Sequence, residues 1–194
     1  HTDYFGQAGE GVDVGIQYCL ARRTPDGQPT TGITRIKSAL TKMDMETDDL
    51  PLKNLDRWDP TRYVNVWVVQ SINSLSSGPG VAGYAYFPSS HGKPEDGMVC
   101  EAQFFGVDPK QDVVFIHEMG HYLGLYHTFE GGCKNDDCLL DGDRVCDTPP
   151  DQAKHTACPF NSCHTDTDAP APNPLMSDVN DMTENFMDYS PFDC

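Results

Sequence analysis

Apolar and polar positions alternate through the first part of the chain. Val12, Val14, Ile16, Tyr18 and Leu20 stand two apart, which predicts a strand with one face turned inward. Pro25-Asp26-Gly27 is a turn signal. Ile33 to Leu40 has the spacing of a short helix. Tyr63 to Ile72 is β-branched and aromatic and predicts a central strand. Val81 to Phe87 carries a glycine and is followed by a proline, which suits a sheet edge. Met98 to Phe105 predicts a further strand. Then the period changes. Val113, Val114, Ile116, Met119, Tyr122 and Leu123 recur at helical spacing, with Asp112 as N-cap and Gly124 as the stop. Beyond Gly124 there is little periodicity until Asn185-Phe186-Met187. Asp166 to Pro174, with three prolines, predicts an exposed loop.

Length and charge narrow the classes. A chain of 194 residues fits one domain. It carries 30 acidic against 13 basic side chains, a net charge of -17. Such a field repels phosphate backbones and anionic membrane surfaces, which argues against nucleic-acid and lipid-surface partners. No apolar run approaches the roughly 20 residues a spanning helix needs, so membrane insertion is not expected. Of the acids 23 are Asp and 7 are Glu. Asp favours turns, caps and hard-cation sites. Residues 133–194 hold 12 Asp, 1 Glu and 3 Lys or Arg, so that third alone carries -10.

The cysteines gather in the same third: Cys133, Cys138, Cys146, Cys158, Cys163 and Cys194, out of eight. An even number in a helix-poor stretch rich in Pro, Asp and Gly reads as a disulfide framework and an oxidising, extracellular compartment. A zinc ribbon would want CxxC pairs, and the spacings here are x4. Spacing leaves the connectivity open. Cys19 and Cys100 fall in the strand segments, as free buried thiols or as a pair. His1 opens on polar sequence without a signal peptide, the expectation for a mature or truncated chain.

The strongest chemical signal lies on the predicted helix: His117-Glu118-Met119-Gly120-His121. Histidines four apart share a helical face, so both imidazoles reach one ion. Glu118 is turned far enough away not to ligate, yet can reach a metal-bound water. Chance would produce this pattern in roughly one in a few hundred chains of this length. The motif continues to Gly124 and His127. A helix cannot bring a residue ten positions on to the same ion, but a glycine at positive φ can break it and return His127. The longer pattern arises by chance in about one in a hundred thousand chains. Three protein ligands leave a zinc ion one open position, the mark of a catalytic site. His1, His91, His155 and His164 lack ligand spacing and read as surface residues.

HEMGHYLGLYH resembles the metzincin zinc peptidases, and Asn185-Phe186-Met187-Asp188-Tyr189 looks like their Met-turn. Together with DGDRVCDTPP (Asp141 to Pro150) and NFMDYSPFDC, it resembles the pappalysin family and its microbial members, from about Val12 to Cys194. The resemblance implies an α+β fold with a twisted mixed β-sheet, an active-site helix and an irregular, disulfide-rich C-terminal subdomain. The single catalytic domain 1–194 then divides into 1–124 and 125–194. Metzincins usually begin with a strand and a long backing helix and end in a helix after the Met-turn. Neither is evident here, so the chain is expected to be a fragment or one with clipped ends.

The resemblance also implies roles. His117, His121 and His127 would hold catalytic zinc, and Glu118 would serve as general base and then acid on the zinc-bound water. Tyr189 would support the oxyanion, and Met187 would be a structural floor. Ala82, Gly83, Tyr84 and Ala85 would pair with an extended peptide or protein substrate. Asp193 would favour Arg or Lys after the cut. Asp141, Asp143, Asp147 and Thr148 would bind structural calcium. Cys138 would pair with Cys163 and Cys158 with Cys194, leaving Cys133 with Cys146. The function implied is a secreted zinc endopeptidase. The alternatives are an inactive or non-proteolytic secreted binding module, against which the presence of Glu118 and all three histidines argues, or a structural domain, which does not account for converging histidines.

Overall fold

A computed structural model describes residues 15–76, 78–106, 113–154 and 160–189. The predicted N-cap Asp112, together with Val12, Val14, His1, His155, Cys158, Asp193 and Cys194, lies outside them. The chain divides into two compact units, one spanning Asp13–Gly124 and the other containing Leu125–Cys194. No helix among the described residues is long and apolar enough to cross a membrane.

The regular structure lies in the first unit. It runs β1 (Lys42–Asp44), α1 (Asp49–Lys53), β2 (Val66–Val69), β3 (Ser71–Ser74), β4 (Gly78–Pro79), β5 (Gly83–Ala85), β6 (Met98–Glu101) and α2 (Val113–Leu123). The class is α+β and the sheets are mixed, as expected, but the strands form two sheets of three. One has the order β1-β3-β4, the other β2-β6-β5. β2 and β6 are parallel and β5 and β6 antiparallel, so β5 is an edge.

Several local expectations are corrected. Tyr63 to Ile72 is not one strand: it breaks at Gln70, β2 joins one sheet and β3 the other. The Gln70 N–H donates to the Thr41 carbonyl instead of continuing a ladder. The Ile72 N–H then donates to Glu101 Oε1 of β6 at 2.7 Å, tying the sheets together. Ile16, Tyr18 and Leu20 form no strand and stand 51–61% exposed, so the alternating face is not buried. Ile33 to Leu40 is irregular apart from a 3-10 turn at Ala39–Thr41, with Ile33 and Ile36 exposed. The turn at Pro25-Asp26-Gly27 is present, closed by an isolated bridge from Arg23 to Pro29. The Met98 segment is a strand only as far as Glu101, and all four residues are buried. The core joins Met43, Leu52, Val69, Ile72 and Val99, with Trp67, Val81 and Tyr84 against it.

Beside this core sits a buried ion pair. Lys53 has no solvent exposure, and its Nζ lies 2.7 Å from Asp49 Oδ1. It donates to the Glu95 carbonyl at 2.7 Å and lies 4.1 Å from the centroid of the Tyr86 ring. Asp49 also accepts the hydroxyls of Tyr84 at 2.6 Å and Tyr86 at 3.0 Å. Burial lowers the Lys53 pKa while Asp49 opposes it. Burial, then the Asp49 charge, pushes the Tyr86 hydroxyl up to about 12.

The second unit has no helix or strand among its described residues, and side chains take over the bonding. Asp151 Oδ1 accepts from the Ala153 N–H, Asp166 Oδ2 from Val179 and Asp181 Oδ2 from Ser162. These three carboxylates are 1%, 1% and 5% exposed, so much of the Asp excess is buried acceptor, not the solvated charge expected of turns. Among the described residues two disulfides close the segment, and both differ from the pairing implied by family resemblance. Cys133 pairs with Cys163 and Cys138 with Cys146. The loop between Cys138 and Cys146 folds back through Gly142 (φ +59°) and Arg144 (φ +66°), bringing their Cα atoms to 4.9 Å. The Arg144 guanidinium lies over the Tyr126 ring. Cys19 and Cys100 are free thiols, and Cys19 is exposed, contrary to the expectation of burial.

Replacing Asp49 by Ala strands a buried ammonium and should cost about 3–5 kcal/mol, read as a lowered urea midpoint. Adding Lys53→Met should recover most of that loss. A loss under about 1 kcal/mol for the single variant would show that the pair is not structurally required.

Candidate metal centre

The α2 sequence VVFIHEMGHYL lays an apolar stripe toward the sheet and turns His117 and His121 to one face. Their rings lie 4.6 Å apart between centroids, at 87°. Both are nearly buried, and Phe87 lies 5.4 Å from the His121 ring. The helix stops at Gly124, whose φ of +102° an L side chain rarely adopts. Pro88 packs at 3.2 Å from where a Cβ would stand there. The sharp stop returns the chain, and His117, His121 and His127 each offer a ring nitrogen, all within 4.8 Å of one another. That is a donor set of three imidazoles, which suits zinc.

Around His127 the second unit supplies aromatic walls. Phe129 stacks on it at 4.7 Å and 7°, and Tyr189 meets it edge-on at 4.8 Å. Tyr189 is 53% exposed, so its hydroxyl is not locked in a core. Met187 is buried in a turn that Asn185 organises: its carboxamide oxygen accepts the Met187 N–H, and its carbonyl accepts that of Asp188. The Met187 carbonyl in turn accepts the Thr128 N–H, so this turn is bonded to the residue after His127.

Glu118 is 5% exposed, and burial pushes its carboxyl up to about 8. Its Cγ and Oε1 lie against Gly83 of the edge strand, 3.0 and 3.2 Å from the position of a Cβ there. Ala82, Gly83, Tyr84 and Ala85 therefore border the helix that carries the histidines. Tyr84 is fixed by Asp49 and Cys100 lies buried across from Gly83. Sequence reasoning missed this supporting set. The only available signal was the i, i+4 spacing of Asp49 and Lys53; Phe87 and Phe129 left none.

The acidic loop is less uniform than expected. Asp141 is engaged by Lys134 at 2.6 Å and by the N–H groups of Asp136 and Asp137. Asp143 is buried, accepts from Val145, and is pushed up to about 6 by that burial. Asp141, Asp143 and Thr148 line a small pocket with Thr128 and Asn135; Asp147 is not part of its lining. His91 is exposed but has Nε2 3.1 Å from the Tyr122 carbonyl oxygen, and exposed His164 pairs with Asp178. Asp193 lies outside the described residues.

Comparisons with known proteins converge on one family. The family described as pregnancy-associated plasma protein-A matches residues 47–194. An extracellular metalloprotease of Pyricularia oryzae is 35% identical over 133 residues, 62% of this chain and 40% of its own. One from Verticillium alfalfae is 30% identical over 161 residues, 77% of this chain and 49% of its own. Mature mirolysin of Tannerella forsythia, solved with a cleaved peptide, superposes with a TM-score of 0.63 at 31% identity, covering 90% of this chain and 63% of that one. A promirolysin variant gives 0.64 at 30% identity, covering 90% and 55%. The chain thus spans about half the length of these curated relatives or less. The His117–His127 motif lies inside the matched region, and the chain belongs to the pregnancy-associated plasma protein-A family of metallopeptidases, the pappalysins.

Proposed function

We propose that this chain is the catalytic part of a secreted, zinc-dependent endopeptidase. The observation that carries the reading is the convergence of three imidazoles next to one buried carboxylate. His117, His121 and His127 would hold the zinc, which would supply Lewis acidity toward a carbonyl and a water. The names of the fungal relatives support secretion.

The chain's own residues do the rest. Burial alone favours neutral Glu118, whereas a cation beside it favours the carboxylate. Glu118 thus accepts the proton of the attacking water and returns it to the leaving amine. Tyr189 would donate its hydroxyl to the oxyanion, a reading supported by its half-exposed ring against His127.

Substrate enters as a further strand on β5. The Ala82 carbonyl accepts from Glu101 and the Tyr86 N–H donates to Gly97, so Ala82, Tyr84 and Tyr86 bond toward β6. By the antiparallel alternation, Gly83 and Ala85 direct their N–H and C=O to the open edge. The mirolysin structure with a cleaved peptide supports an extended peptide as substrate. We assign Asp193 to the pocket for Arg or Lys after the cut. Calcium belongs to the Asp143 and Thr148 loop, with Asp141 and Asp147 as further oxygen donors. A cation there would offset the cost of the buried Asp143 charge.

The zinc-loaded protein should cleave unfolded protein, and Glu118→Ala should abolish cleavage while retaining zinc, measured by mass spectrometry of the metal. Cleavage that survives this substitution would falsify the mechanism. In a digested proteome, Arg and Lys should be enriched immediately after the cut, and Asp193→Ala should erase that enrichment; an unbiased digest discards the pocket. Chelating calcium should lower the melting temperature with zinc still bound, and an unchanged melt counts against the calcium loop.

A further inference from the structure

Most glycines in the first unit answer a backbone need. Gly78 in β4 and Gly80 just after it have φ of +78° and +105°, and a side chain on either would meet open space. Gly83 is the reverse. It lies inside a strand with no positive φ, where any residue could adopt the backbone and where glycine costs conformational entropy. What it lacks is room. A Cβ there would stand 3.0 Å from Glu118 Cγ, 3.2 Å from Glu118 Oε1 and 3.2 Å from Val114 Cγ1. Two of the three contacts belong to one side chain, and that side chain carries the buried carboxylate. The surroundings leave it little slack: Cys100, the partner of Gly83 on β6, has no exposure, and Glu118 itself is 5% exposed.

We propose that Gly83 is a positioning residue for Glu118: the absence of a side chain at 83 lets the carboxylate lie directly against the edge strand. The proposal rests on the peptidase reading and extends it. One residue offers its backbone to the substrate strand and its bare Cα to the general base. The distance from bound backbone to proton acceptor is then set by a single van der Waals contact. A methyl group at 83 pushes Glu118 away by a few tenths of an ångström while leaving the edge hydrogen bonds of β5 available.

The test is Gly83→Ala in the zinc-loaded protein, assayed on a peptide, with metal content and melting temperature measured alongside. The expected result is a kcat lowered about tenfold or more, a KM within about twofold, and zinc retained. In the melts, Gly83→Ala should cost a few degrees when position 118 is Glu and clearly less in the Glu118→Ala background. An unchanged kcat, a loss carried wholly by KM, or equal costs in both backgrounds would overturn it. If Gly83→Ala alone does not fold, the pair with Glu118→Ala should; failure of both places the constraint on Val114 or the backbone and also overturns it. An inactive unsubstituted protein sinks the peptidase reading instead, and the melting comparison still decides the contact.

Discussion

The first unit depends on a lysine that has been taken wholly out of water. Desolvating an ammonium costs several kcal/mol, and the cost is offset only if every proton on it finds an acceptor. Lys53 finds Asp49, the Glu95 carbonyl and the face of Tyr86. Asp49 has its own valences to fill and takes the hydroxyls of Tyr84 and Tyr86. Tyr84 lies in β5 and Tyr86 directly follows that strand. A short helix of five residues thus pins a short edge strand of three, which has few ladder bonds of its own. The network trades some stability for one allowed placement of that strand.

Placement matters because α2 rests on the same strand. The helix brings two imidazoles to one face and the third arrives after a glycine stop, while Glu118 is pressed between helix and sheet. The second unit is organised on a different principle. Its described residues form no helix or strand; backbone donors there are met by aspartates, asparagines and serines, and loops are closed by disulfides. The bias toward Asp over Glu fits that work, since a short carboxylate reaches an N–H two residues on where a longer one overshoots.

How much of this was legible depended on whether the signal was local. The helix from Val113 to Leu123, its stop at Gly124 and the histidine spacing depend on residues within one or two turns, and all three are read correctly from sequence. The edge character of β5 followed from its glycine and flanking proline. Tyr63 to Ile72 misled because β-branched content does not mark a change of sheet; the break at Gln70 comes from a bond to Thr41, almost thirty residues earlier in the chain. Ile16, Tyr18 and Leu20 alternated but stayed exposed, so periodicity without burial carried no strand. α1 holds a proline and spans little more than one turn, too short for a periodic pattern. Cys138–Cys163 and Cys133–Cys146 were misassigned because the resemblance supplied a pairing, whereas the tight reversal through Gly142 and Arg144 brings Cys138 to Cys146.

Cys100 shows what burial does to redox chemistry. It lies with no exposure in the central strand, and burial together with the neighbouring Glu118 charge pushes its thiol up to about 12. Thiol–disulfide exchange requires the thiolate and a path for the attacking sulfur, and the folded chain denies Cys100 both. Formation of β6 therefore removes one cysteine from the pool that could scramble the Cys133–Cys163 and Cys138–Cys146 bridges. In an oxidising compartment the order of events then carries weight: a sheet that closes before the bridges form protects their pairing, and a sheet that closes late leaves a competing thiol in solution.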